Sequence, residues 1–154
     1  MFDPTITVAD LGWLRDAWDG PIVVKGIQTV DVAMAMVDVG VDAIVVSNHG
    51  GRQLDRSPTP LEQLPVIATA VGSRAEVYID GGVLNGADIV AGVAFGARAV
   101  LVGRAYLYGL IAGGERGVAR AGELLRQEMV RTTQLLGEAR IVDVGSERVR
   151  LRNC

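Results

Sequence analysis

Short β-branched runs alternate with longer amphipathic stretches along this chain. Ile22-Val23-Val24 runs into Lys25-Gly26, and Ala43-Ile44-Val45-Val46 into Ser47-Asn48-His49. Val77-Tyr78-Ile79 runs into Asp80-Gly81-Gly82, and Ala99-Val100-Leu101-Val102 into Gly103-Arg104. Apolar character that is continuous, not alternating, predicts parallel strands covered on both faces, here near residues 22–26, 43–47, 77–80 and 99–103. Helices fill the gaps. Thr29 caps one that includes Met34 and Val37, Leu61 opens another that ends near Gly72, and Gly86 opens a third that ends near Gly96. Gly40 and Gly96 stand where a helix C-terminus turns into the next strand. Upstream, Thr7 and Asp10 have capping-box spacing, and Leu11, Leu14 and Trp18 share a helical face. Downstream, Glu115 to Leu136 forms a longer helix with a stripe through Val118, Ala121, Leu125, Met129 and Leu136, stopped by Gly137. From Arg140 onward no period is legible.

One helix, four βα units and an irregular tail make an α/β chain. Such units build either a doubly wound open sheet or part of a (β/α)₈ barrel. A whole barrel takes about 250 residues, and this chain has 154, a length that suits a single domain over residues 1–154 with about half a barrel's strands. Composition narrows the class. With 49% apolar and 21% charged residues, 20 glycines and 5 prolines, the chain is neither disordered nor collagen-like. Its one cysteine, Cys154, allows no internal disulfide and no thiolate metal cluster. A net charge of −3 argues against nucleic acid as a partner. The apolar runs are far shorter than the roughly 20 residues of a membrane span, and the polar N-terminus is unlike a signal peptide. A cytoplasmic location is expected, with peripheral membrane association left open.

In every parallel α/β layout, ligands meet the C-terminal ends of the strands. The first end carries Lys25; the second Ser47, His49 and Arg52; the third Asp80, Gly81 and Gly82; the fourth Gly103 and Arg104. Each has an ordinary reading. A loop histidine is more often structural than catalytic, a lysine after an apolar run usually reaches solvent, an arginine in a polar loop is usually a surface charge, and Asp-Gly-Gly is a common turn. Their convergence on one rim is what weighs.

The wording around these residues carries a resemblance. Ser47-Asn48-His49-Gly50-Gly51-Arg52-Gln53-Leu54-Asp55 closely resembles the signature of the FMN-dependent 2-hydroxy acid dehydrogenases and oxidases. Pro21 to Ile27 resembles that family's lysine-bearing strand, preceded by the similar Phe2-Asp3-Pro4 and Trp13-Leu14. Asp80-Gly81-Gly82-Val83, then Gly86, Asp88 and Gly96-Ala97-Arg98-Ala99, ending in Gly103-Arg104, resembles its phosphate-binding stretch. The segment Gly103 to Leu110 is most similar to the L-lactate dehydrogenase branch. The resemblance implies FMN as cofactor and oxidation of a small 2-hydroxy acid, L-lactate foremost, to the 2-keto acid. It implies that His49 removes a substrate proton and that Arg52 grips the substrate carboxylate. It places Lys25 beside the flavin edge where reduction deposits negative charge, with Ser47 on the same ring. Asp80, Gly81, Gly82, Val83, Leu84, Gly103 and Arg104 would hold the rest of FMN, chiefly its phosphate.

Two departures from the family pattern matter. Leu84 stands where the family commonly has an arginine, which removes one phosphate contact and leaves Arg104 and the glycine amides. The match covers only the family's strands 5 to 8, so the expected fold is the C-terminal half of a TIM barrel. Such a half leaves two sheet edges and an inner face open. A missing N-terminal half-barrel or self-association is therefore the expected partner. Two rivals remain. The Asp-Gly-Gly to Gly-Arg stretch also resembles inosine monophosphate dehydrogenase, but that enzyme needs a loop cysteine. The other rival is a half-barrel that binds FMN or a partner half without catalysis on its own.

Overall fold

The computed structural model describes residues 5–54 and 56–151. Phe2, Asp3, Pro4, Asp55 and Cys154, which entered the sequence reading, lie outside the described residues. A 3-10 turn, Val8–Asp10, leads into α1 (Leu11–Ala17). Then come β1 (Val23–Ile27), α2 (Val30–Asp38), β2 (Ala43–Val46), α3 (Pro60–Val71), β3 (Glu76–Ile79), α4 (Gly86–Ala94), β4 (Ala99–Val100) and α5 (Arg104–Leu135). Further 3-10 turns follow at Ile141–Asp143 and Ser146–Arg148.

The four strands form one parallel sheet in the order β1-β2-β3-β4. Sequential order with right-handed crossovers sends every helix to the same side, as in a barrel, and not to both sides as in a doubly wound sheet. The burial pattern agrees. Val24, Ile44, Val46, Val77, Ile79 and Val100 lie on the helix side and pack with Ala33, Met36, Val37, Leu64, Ile67 and Val71. α4 closes on the same side, since a Cβ on Gly92 would meet Val100 and Ile79. On the opposite side, pairing aligns Val23, Ala43 and Glu76, and then Lys25, Val45, Tyr78 and Ala99. Val23 is 49% exposed there, although it is aliphatic and in a strand. Tyr78 donates to Glu76, which also faces Arg98. Among the described residues, β1 and β4 each have a strand partner on one side only. This is the expected partial barrel, helices outside and inner face open. No helix among the described residues is long and apolar enough to cross a membrane.

Local signals work where one element decides them. Thr29 accepts from the Val32 amide at 3.4 Å, and the Asp10 carboxylate accepts from the Thr7 amide at 2.6 Å. Three expectations need correction. β4 spans two residues where 99–103 was expected; Leu101 still donates to the Ile79 carbonyl at 2.8 Å, but nothing on the far side extends the ladder. Trp18 lies beyond α1 and is 55% exposed, its indole donating to the Pro21 carbonyl, while Leu11 and Leu14 do pack on the core. The last helix begins at Arg104, not Glu115, and breaks at Gly113 and Gly114 before continuing. The break folds its two arms together until the backbones of Gly109 and Gly117 touch, where a Cβ on either would collide with the other.

Leu64 is fully buried between α3 and the sheet. Leu64→Ala should cost about 2–5 kcal/mol in urea unfolding, through lost transfer energy and the cavity left behind. At the opposite end of the sheet, Asp42 Oδ2 accepts from the Ile22 amide at 2.7 Å and from Arg15 Nη2 at 3.1 Å, and Arg15 also reaches the Gly40 carbonyl. The Ile22 amide first, and Arg15 second, hold the Asp42 carboxyl below its ordinary 3.8. A carboxylate depressed in the folded state stabilises above its unfolded value, and the contribution is lost as pH falls through the folded one. The melting temperature of Asp42→Ala should therefore lie below the parent's at pH 7, and the gap should close as pH is taken below about 4.

Candidate active site

At the C-terminal rim the four strand ends surround a cleft of about 820 Å³. Lys25, His49, Arg52, Asp80, Gly81, Gly82, Val83, Leu84, Gly103 and Arg104 all line it. Ser47 alone among the expected residues does not; it is fully buried beneath Lys25. Sequence reasoning missed Gln53, Leu101, Tyr106 and Leu107, which also line the cleft. Tyr106 and Leu107 arrive because α5 starts at Arg104, so the signal was Gly103 followed by five residues with no glycine or proline before Gly109.

β1 delivers Lys25 just before a bulge. The register slips between Lys25 and Ile27, and Gly26 takes φ 102°. That bulge makes the floor under His49. A Cβ at Gly26 would stand 2.7 Å from His49 Cε1, so glycine is what lets the imidazole lie against the strand. Lys25 Nζ donates to Ser47 Oγ at 2.9 Å and pairs with Asp80 Oδ2 at 2.8 Å, joining the ends of β1, β2 and β3.

After β2 the chain turns sharply at His49–Gly51. His49 has φ 56°, a left-handed backbone that costs a non-glycine residue on the order of 1 kcal/mol. Its amide donates to Ser47 Oγ at 3.1 Å, and Asn48 Oδ1 accepts from the Gly51 amide at 3.2 Å. The imidazole is exposed to the cleft and has no side-chain hydrogen bond among the described residues. Arg104 crosses from the far wall, with Nη2 3.4 Å from where a Gly50 Cβ would stand. Among the described residues neither Arg52 nor Arg104 pairs with a carboxylate, so unneutralised cations gather here on a chain of net charge −3. Lys25 is also the one lysine among 15 basic side chains, and His49 the one histidine.

These residues fit a cofactor that is anionic at one end and hydroxylated along its length. Asp80 Oδ1 is buried with no partner among the described residues, an acceptor awaiting a donor. The Gly82 and Gly103 Cβ positions open onto free space, so backbone there can be approached closely. Arg104 supplies the fixed positive charge a phosphate needs.

Comparison with known proteins agrees. The chain is 58% identical over 137 residues to a putative L-lactate dehydrogenase of Mycobacterium tuberculosis, covering 89% of this chain and 33% of that protein. It is 47% identical over 144 residues to the pre-mycofactocin synthase of the same organism, covering 94% of this chain and 36% of that one. A mandelate oxidase variant with a monooxide FMN adduct superposes with a TM-score of 0.87 at 40% identity, covering 92% of this chain and 45% of that chain. The chain thus spans about a third of the length of the curated relatives it matches. The family profile described as FMN-dependent dehydrogenase matches residues 1–151, and with these identities the chain belongs to that family.

Proposed function

We propose that this chain carries the cofactor-holding and substrate-oxidising rim of an FMN-dependent (S)-2-hydroxy acid dehydrogenase, with L-lactate as the substrate, and that it works in the cytoplasm as one partial domain. The observation that carries this reading is the delivery of Lys25, His49, Arg52, Asp80 and Arg104 to one cleft by four different strand ends. Relatives named for L-lactate support the choice of acid.

Arg52, free of any carboxylate among the described residues, binds the substrate carboxylate with a planar two-pronged donor. His49 takes the hydroxyl proton on an imidazole nitrogen while the bond between the hydroxyl carbon and its hydrogen breaks. That hydrogen leaves with the bonding pair, as a hydride equivalent, and the carbon becomes a keto carbon. FMN, when bound, would supply the acceptor for that hydride equivalent. Lys25, fixed by Ser47 and Asp80, holds positive charge at the cleft floor. Gly81, Gly82, Val83, Gly103 and Arg104 grip the phosphate end, with Leu84 adding apolar cover and no charge. Asp80 Oδ1 accepts from a cofactor hydroxyl. The half-exposed Val23 and the one-sided edges of β1 and β4 are covered by a further four βα units, and the oxidation requires them.

The first test is colour. The purified chain, completed with an N-terminal half from a relative, should bind FMN and bleach on addition of L-lactate. Colour without bleaching in the completed protein overturns the proposed oxidation and leaves a rim that holds cofactor only, and no colour refutes the FMN site proposed here. Stopped-flow reduction then separates the residues. His49→Ala should keep FMN and lose roughly 10²- to 10⁴-fold in the rate of flavin reduction, the usual loss on removing a general base. Arg104→Ala should instead raise the dissociation constant of FMN. A near-normal reduction rate in His49→Ala overturns its role.

A further inference from the structure

Ser47 follows β2 as a wholly buried polar side chain, and its one hydroxyl oxygen accepts two hydrogen bonds. One comes from Lys25 Nζ at 2.9 Å, across from β1, and the other from the His49 main-chain amide at 3.1 Å. Lys25 has a second restraint in Asp80, and His49 a second in the Gly26 floor. Among the described residues only Ser47 holds both. A hydrogen bond donated by the amide two residues on to a serine hydroxyl oxygen fixes a turn locally, here the left-handed one at His49. The same oxygen joins Asp80 in fixing the tip of a four-carbon stem that is flexible on its own.

We propose that Ser47 is a positioning residue that mounts Lys25 and the His49 turn on one oxygen, so that the ammonium on the cleft floor and the imidazole above it keep a fixed relation and shift together. Ser47 has no exposed surface in the free chain, and the coupling runs through these two neighbours. The functional meaning rests on the roles proposed above for Lys25 and His49, while the coupling is a property of this chain alone.

A single lysine and a single histidine make the test direct. Selective ¹⁵N labelling of the 154-residue chain gives one side-chain ammonium signal and one histidine amide signal. Ser47→Ala should speed solvent exchange of the His49 amide roughly fivefold, as expected for one lost hydrogen bond, and move the Lys25 signal. Ser47→Thr should retain both. Lys25→Met should shift the His49 amide signal in the parent and not in the Ser47→Ala background. Unchanged His49 exchange in a folded Ser47→Ala chain overturns the proposal, as does a Lys25→Met shift of equal size in both backgrounds. Should Ser47→Ala not fold, Ser47→Cys, whose sulfur is a weak acceptor, takes its place in both comparisons with the same overturning results. FMN is absent from these measurements, so a chain that never binds FMN refutes the proposed function and leaves the coupling standing.

Discussion

Right-handed crossover between neighbouring parallel strands is the constraint on which everything else here depends. Because the strands follow one another in chain order, α2, α3 and α4 are confined to one side of the sheet, and the C-terminal end of every strand opens onto one rim. Four short segments, separated by roughly twenty to thirty residues each, therefore present their terminal side chains to a common space. The inner side is left to residues such as Val23 and Tyr78, which a closed barrel would enclose.

Within that space the arrangement concentrates positive charge against the sign of the whole chain. Arg52 and Arg104 stand without carboxylate partners among the described residues, whereas Lys25 is bound on two sides. The difference suits their geometry. A compact ammonium fits between two acceptors on separate strands, while a guanidinium gives its best bonds to a planar two-oxygen group arriving from solution. Basic residues elsewhere in this sequence are arginines, so the one lysine stands where a point charge is wanted.

The sheet was legible in the sequence because each strand is a β-branched run ended by glycine or a polar turn, and periodicity alone marks such runs. The rim residues were legible for the same reason, since strand ends follow from strands. What was not legible depends on contacts between elements. β4 shortens because it has one neighbour, and Trp18 leaves its helix to bond the Pro21 carbonyl. Ser47 follows the fully buried β2, but its hydrogen bond with Lys25 comes from 22 residues away and has no local signal. The bulge at Gly26 is visible only once a ring is found lying on it. Tyr106 and Leu107 reached the cleft through a helix start that the glycine pair at 113–114 concealed, by making the later arm look like the whole element.

The crossing of Gly109 on Gly117 has a reach beyond its own hairpin. Where two backbones meet with no side chain between them, there is nothing to rearrange, and the distance between the arms is set by the main chain itself. The first arm begins at Arg104, so the guanidinium that leans over Gly50 is carried by a helix whose contact with the second arm lies five residues along it. Variation at position 117 would thus be felt as altered aim at the mouth of the cleft, with no cleft residue having changed.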